Sequence, residues 1–208
     1  MKRRILAAGA AATLAACASA PVVEHSKMTD AELAEITAVL MRDFRAKGQA
    51  KMDRLEQDAV QRACNLNADN PPESVAKPLE QAQSKTIKYP NGSLLGDWKN
   101  GAKIAESGRG MQWSEKPGSP GGGGCYNCHQ LSPAQTSYGT IGPSLLAFGK
   151  ARGYGPEVQQ YVYGKIYNAK AYSLCSHMPR FGHTGSLTEQ QIKDVTAYLL
   201  DPTSPVNK

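Results

Sequence analysis

Apolar residues recur at steps of three and four through several stretches of the chain, and no run alternates like a half-buried strand. Leu33, Ile36, Leu40 and Phe44 make one such face behind Thr29-Asp30-Ala31-Glu32, which fits a capping box. The pattern fades through Arg45-Ala46-Lys47-Gly48-Gln49 and resumes at Met52, Leu55, Ala59 and Ala63, so 29–66 reads as one long helix or as two meeting near Gly48. Residues 67–91 contain Pro71-Pro72, Pro78 and Pro90 and predict a linker with at most a short helix. A helix is predicted over 97–106, ended by Gly108 and Gly110. Another is predicted near 156–167, with Pro156 in its first turn and Val158, Tyr161, Val162 and Ile166 as its apolar face. The last is predicted over about 187–200, where Ser186 and Glu189 suit the start and Ile192, Val195 and Leu199 form a buried stripe. Residues 114–124, rich in Ser, Pro and Gly and ending in four glycines, predict a flexible loop. The expected class is all-α.

The first 20 residues stand apart from this pattern. Lys2, Arg3 and Arg4 form a basic start, Ile5 to Ala16 a short apolar run, and Ala18-Ser19-Ala20 an A-x-A cleavage signature, which together predict a signal peptide and export. Leu14-Ala15-Ala16-Cys17 also matches a lipobox, in which case Cys17 becomes a lipidated N-terminus. Both routes stay open, and neither leaves Cys17 an ordinary thiol. The domains expected are 1–20 signal peptide, 21–91 helical extension and linker, and 92–208 a single domain. Three positive charges leave with the signal, so the formal +6 becomes +3. No basic run with interleaved aromatics is present, which argues against a nucleic-acid partner.

The chemistry lies in Cys125-Tyr126-Asn127-Cys128-His129. Two thiols separated by two residues can add to the two vinyl groups of a haem, and the adjacent His then lies under the iron as an axial ligand. A redox-active C-x-x-C would not require His129 and usually opens a helix after a strand, whereas here a glycine run precedes it. A zinc site would need a second Cys/His pair at suitable spacing. One covalent haem c is therefore expected at Cys125, Cys128 and His129. The sixth iron ligand must come from elsewhere. Met178 is favoured, in Ser176-His177-Met178-Pro179-Arg180-Phe181-Gly182, where Pro179 fixes the backbone; His177 is the alternative. Lys150, Arg152, Lys165, Lys170 and Arg180 lie near the two ligand loops in sequence and are candidates for a positive docking rim.

Of five cysteines, Cys17 is lost or lipidated and two hold haem. Cys64 and Cys175 remain, and an oxidising compartment favours a disulfide between them. Such a bridge would fasten the extension to the haem domain close to Met178. Two buried thiols, or a bond to a partner subunit, are the alternatives.

The order of a helix carrying Gly101, C-x-x-C-H, Gly142-Pro143-Ser144-Leu145, Met178-Pro179 and a terminal amphipathic helix resembles class I cytochromes c over 92–203. Within that family, Gly124-Cys125-Tyr126-Asn127-Cys128-His129, Gly139-Thr140-Ile141-Gly142-Pro143-Ser144-Leu145 and His177-Met178-Pro179-Arg180-Phe181-Gly182 together resemble the SoxX family, small cytochrome subunits of the SoxAX complexes of thiosulfate oxidation. The resemblance implies a class I cytochrome c fold carrying an N-terminal extension. It also implies electron transfer in the periplasm, in a heterodimer with a SoxA-like subunit that holds the bond-forming haem. That complex is an L-cysteine S-thiosulfotransferase which couples thiosulfate to a cysteine of the carrier SoxYZ. This chain would take electrons from the SoxA haem and pass them to a small cytochrome c, with no catalytic residue of its own. A general periplasmic electron carrier, or the cytochrome subunit of another oxidoreductase, is the competing reading.

Overall fold

A computed structural model of the chain describes residues 27–208, so the signal peptide and Cys17 lie outside the described residues. Seven α-helices carry the fold, with no strand among the described residues: α1 (Asp30–Asp43), α2 (Ala59–Leu66), α3 (Glu73–Ser84), α4 (Trp98–Glu106), α5 (Phe148–Arg152), α6 (Pro156–Tyr167) and α7 (Glu189–Leu200). Single helical turns at Met52–Leu55, Cys125–Asn127, Ala169–Ala171 and Pro205–Asn207 connect them.

The centre is the crossing of α4 and α7. Gly101 sits where the two backbones meet, and a Cβ there would lie 2.0 Å from the carbonyl oxygen of Asp194. Side-chain-free contact lets the helices approach closely, and the buried Asp194 seals the crossing by accepting from the Asp97 N–H at 2.9 Å and from Gln190 Nε2 at 2.8 Å. Ile192, Val195, Tyr198 and Leu199 of α7 then bury against Ala105 of α4, Val162 and Ile166 of α6, and Leu131. Asn207 pins the end of this core. Its Oδ1 accepts from the Gly149 N–H, and its Nδ2 donates to the carbonyls of Leu199 and Asp201.

The extension departs from its sequence pattern in instructive ways. The break near Gly48 is wider than a simple bend. There Lys47 and Ala50 form an isolated bridge, and Gly48 sits at φ +53° with its α-carbon so close to segment 113 that a Cβ would lie 2.0 Å from the Trp113 carbonyl oxygen. The apolar stripe of α1 is not a core face: only Leu33 is buried, while Ile36 and Phe44 are 44% and 54% exposed. The stretch expected as a linker contains the twelve-residue α3, with Pro78 inside it. Pro78 removes one helical hydrogen bond. Packing outweighs that loss, because Ala76 and Leu79 close over Val60, Cys64 and Leu174. Cys64 of α2 is bonded to Cys175. The last helix is capped by Thr188, in a capping box with Gln191, rather than by Ser186.

Candidate haem-binding site

Four glycines lead into the cysteine motif, and they are wedged rather than loose. The Gly123 and Gly124 N–H groups donate to the carbonyls of Ile104 and Ser107 at 2.8 Å each, satisfying acceptors that the end of α4 leaves open. A Cβ on Gly122 would lie 2.0 Å from the Ser107 oxygen, and one on Gly121 2.3 Å from the Ser186 oxygen. The expected flexible loop is thus, at its glycine end, a backbone ribbon pressed between α4 and the start of α7. Gly124, at φ +54°, turns that ribbon into the single helical turn Cys125–Asn127.

Segment 139–145 is zipped along this turn. The N–H groups of Gly139, Gly142 and Leu145 donate to the carbonyls of Tyr126, Cys128 and Gln130. The pairing brings Gly142 onto the face of the His129 ring, where a Cβ would sit 2.2 Å from Cε1 and 2.5 Å from Nδ1. It also brings the Pro143 carbonyl oxygen to 2.7 Å from His129 Nδ1. A carbonyl can only accept, so Nδ1 carries the proton and Nε2 keeps its lone pair. An imidazole held in this tautomer by its outer nitrogen is prepared as a metal ligand through the other.

The two thiols are unbonded. Cys125 packs on the main core. Burial pushes its thiol up to about 12, and the neighbouring Cys128 adds to the effect. A dithiol oxidoreductase needs the opposite, a cysteine with lowered pKa. Two unbonded thiols one turn apart beside an oriented imidazole fit thioether attachment to a haem.

Met178 packs partly buried against the same cluster as Cys125 and Leu145. His177 does not: its side chain is 80% exposed, with Nε2 3.4 Å from Asp69 Oδ2. The structure therefore separates these adjacent candidates, with the thioether inward and the imidazole outward. His25 lies outside the described residues, and His183 is exposed. Asp69 also lies beside Cys64 and Cys175, but sulfurs engaged in a disulfide offer no metal ligand.

Residues 122–202 match the cytochrome c family model. An uncharacterized lipoprotein of Aquifex aeolicus (strain VF5) is 39% identical over 158 residues, spanning 73% of each chain. The part of the chain at 122–202 is a cytochrome c domain. Like other cytochromes c, it carries a covalently attached haem c. The crystal structure of SoxXA from P. pantotrophus is 24% identical, with a TM-score of 0.39, over 57% of this chain and 90% of that one.

The cytochrome's positive rim is smaller than its sequence implies. Lys150 and Arg152, in the last turn of α5, are exposed. Arg180 is only 11% exposed and is paired with Asp58. Lys165 and Lys170 are half-buried, with Nζ groups directed to the carbonyls of Ala169 and Leu174, and burial lowers the pKa of each. The Asp58–Arg180 pair was invisible in the sequence, because neither residue lies in a motif and nothing periodic links them.

Proposed function

We propose that this cytochrome is an electron-transfer subunit. Cys125 and Cys128 would hold its haem through thioethers, His129 and Met178 would ligate the iron, and the subunit would work within a SoxAX-like complex. The observation that carries the reading is the His129 Nδ1–Pro143 bond, which leaves Nε2 as the ligating nitrogen, together with a second loop whose methionine packs on the core while its histidine is exposed. When bound, the haem supplies a one-electron ferric/ferrous couple. The chain's part is to fix that couple. His129 is locked in one tautomer, the Met178 sulfur favours the ferrous state, and packing keeps water from the Cys125 side. With His129 and Met178 both holding the haem, no ligand position would be left open for substrate, so this subunit would conduct electrons and would not turn over substrate alone.

The SoxX assignment is supported by three motifs occurring together at 124–129, 139–145 and 177–182. On this reading electrons come from the haem of a SoxA-like partner as thiosulfate is coupled to a SoxYZ cysteine, and they leave to a small cytochrome c. The site of action is the periplasm. A lipid anchor at Cys17 is supported by the lipobox and by the relative from Aquifex aeolicus being described as a lipoprotein.

Two measurements test the proposal. Met178→Ala should abolish the methionine–iron charge-transfer band of the oxidised protein while the haem stays attached; retention of the band rules out Met178. Native co-purification should bring down a second haem subunit, and thiosulfate should reduce this cytochrome only when that subunit and its carrier are present. Reduction by an unrelated donor, with no such partner, would leave a general periplasmic carrier as the function.

A further inference from the structure

We propose that the N-terminal extension is a brace for the sixth-ligand loop, and that Asp58 is its positioning residue, holding Met178 through Arg180. The inference rests on Met178 being the ligand.

The extension grips the loop on both sides of Met178. Before it, Cys64 is bonded to Cys175, and Asp69 meets His177. After it, the Asp58 carboxylate pairs with the Arg180 guanidinium, whose side chain is nine-tenths buried. Gln83 of α3 adds a second acceptor for Arg180 at 3.3 Å, and its same oxygen accepts from the buried Asn168 at 2.9 Å. All these contacts converge on residues 168–180 from a part of the chain that supplies no haem ligand. The haem domain itself holds the loop mainly beyond Arg180, where the Gly182 and His183 N–H groups share the Tyr167 carbonyl and the Leu187 N–H donates to Phe181.

The physical need is plain. Between the end of α6 and Phe181 the loop has only short turns of its own, so opening would release considerable chain entropy. A thioether bond to iron must resist that release. Fixing the loop at 175 and 180 removes most of the states it would gain. Arg180 makes the second anchor steep. A buried guanidinium stripped of its carboxylate must find water, and the route to water swings the backbone two residues from Met178.

Asp58 also caps α2, with Oδ1 accepting from the Gln61 N–H at 2.8 Å. Asparagine caps helices equally well. Asp58→Asn therefore keeps α2 and removes the charge opposite Arg180. The experiment follows the methionine–iron band and far-UV helicity together through a denaturant titration of the ferric holoprotein. It uses the wild type, Asp58→Asn, Asp58→Glu and the Cys64→Ser/Cys175→Ser double variant.

In the wild type, band and helicity should disappear together. In Asp58→Asn and in the double serine variant the band should go first, with the methionine-off form at least tenfold more populated and the reduction potential lower. Asp58→Glu should restore most of the wild-type behaviour. If band and helicity still disappear together in both disrupted variants, the brace is wrong and the ligand assignment stands. If the wild type has no such band, the ligand assignment fails and the brace falls with it.

Discussion

Gly142 leaves the His129 ring no slack. A methyl group there would overlap Cε1 and Nδ1, so either the ring or segment 139–145 must shift. Gly142→Ala should therefore disturb the Nδ1–Pro143 bond, alter the ferric spectrum and destabilise the protein by about 1–3 kcal/mol, the usual range for overpacking. An unchanged spectrum and thermal midpoint would mean that the ring is not held by this contact. Asp58 predicts a pH effect. Burial acts to raise its carboxyl, but the Gln61 N–H, the Arg180 guanidinium and the Val60 N–H outweigh it and leave the value below the ordinary 3.8. A carboxyl depressed on folding stabilises the native state above its unfolded value, and that stabilisation is lost as pH falls through the folded value. The gap in thermal midpoint between wild type and Asp58→Asn should thus be full at neutral pH and close below pH 3.8. A gap that persists in acid would assign the difference to something other than this charge.

Among the elements, the α4–α7 crossing is the least forgiving. Gly101→Ala places a methyl against the Asp194 carbonyl and should lower stability by about 1–3 kcal/mol in chemical unfolding, with α4 unable to slide because Gly96 and Asp97 are bonded to α7. A neutral result would mean that the crossing can relax. Pro78→Ala should raise stability, since α3 regains a hydrogen bond. The elements that sequence made legible are those whose caps and periodicity agree with their packing. α6 occupies Pro156–Tyr167 as its proline and apolar face predict, and α4 begins one residue after Asp97, which caps it through the Lys99 N–H. The misreadings share a cause: tertiary contact overrode a local signal. Pro71, Pro72 and Pro78 argued for a linker, yet α3 forms because Leu79 and Ala76 have a surface to cover. Four consecutive glycines argued for mobility, yet their lack of side chains is what lets the backbone press onto α4. Leu33, Ile36, Leu40 and Phe44 form one apolar face in sequence, and periodicity alone does not say what covers it: α1 meets little more than the turn at Met52–Leu55. The cysteine motif and the methionine loop were readable because their chemistry is local. The Asp58–Arg180 contact was not, because it exists only once the chain has folded back on itself.

For the whole molecule, the extension is attached to the haem domain at several places. One is the Met178 loop. A second is α6, where the Tyr163 hydroxyl donates to the Lys88 carbonyl and the Tyr89 ring packs on Tyr163. A third is segment 111–115, where Gln49 Nε2 donates to the Gln112 carbonyl, Arg54 to the Met111 carbonyl, and Lys47 lies 3.4 Å over the Trp113 ring. The bond between Cys64 and Cys175, 111 residues apart, closes a covalent ring that includes α3, α4, the glycine ribbon and the haem motif. A protease that nicks the exposed chain after Arg109 would open this ring without dividing the molecule. The cut protein should run as one species on a non-reducing gel. With reductant it should fall into two, the haem stain staying wholly with the piece that begins at Gly110. Fragments that part without reductant would show that the ring is not closed. A molecule built this way can be damaged at its surface and still keep its cofactor and its extension together.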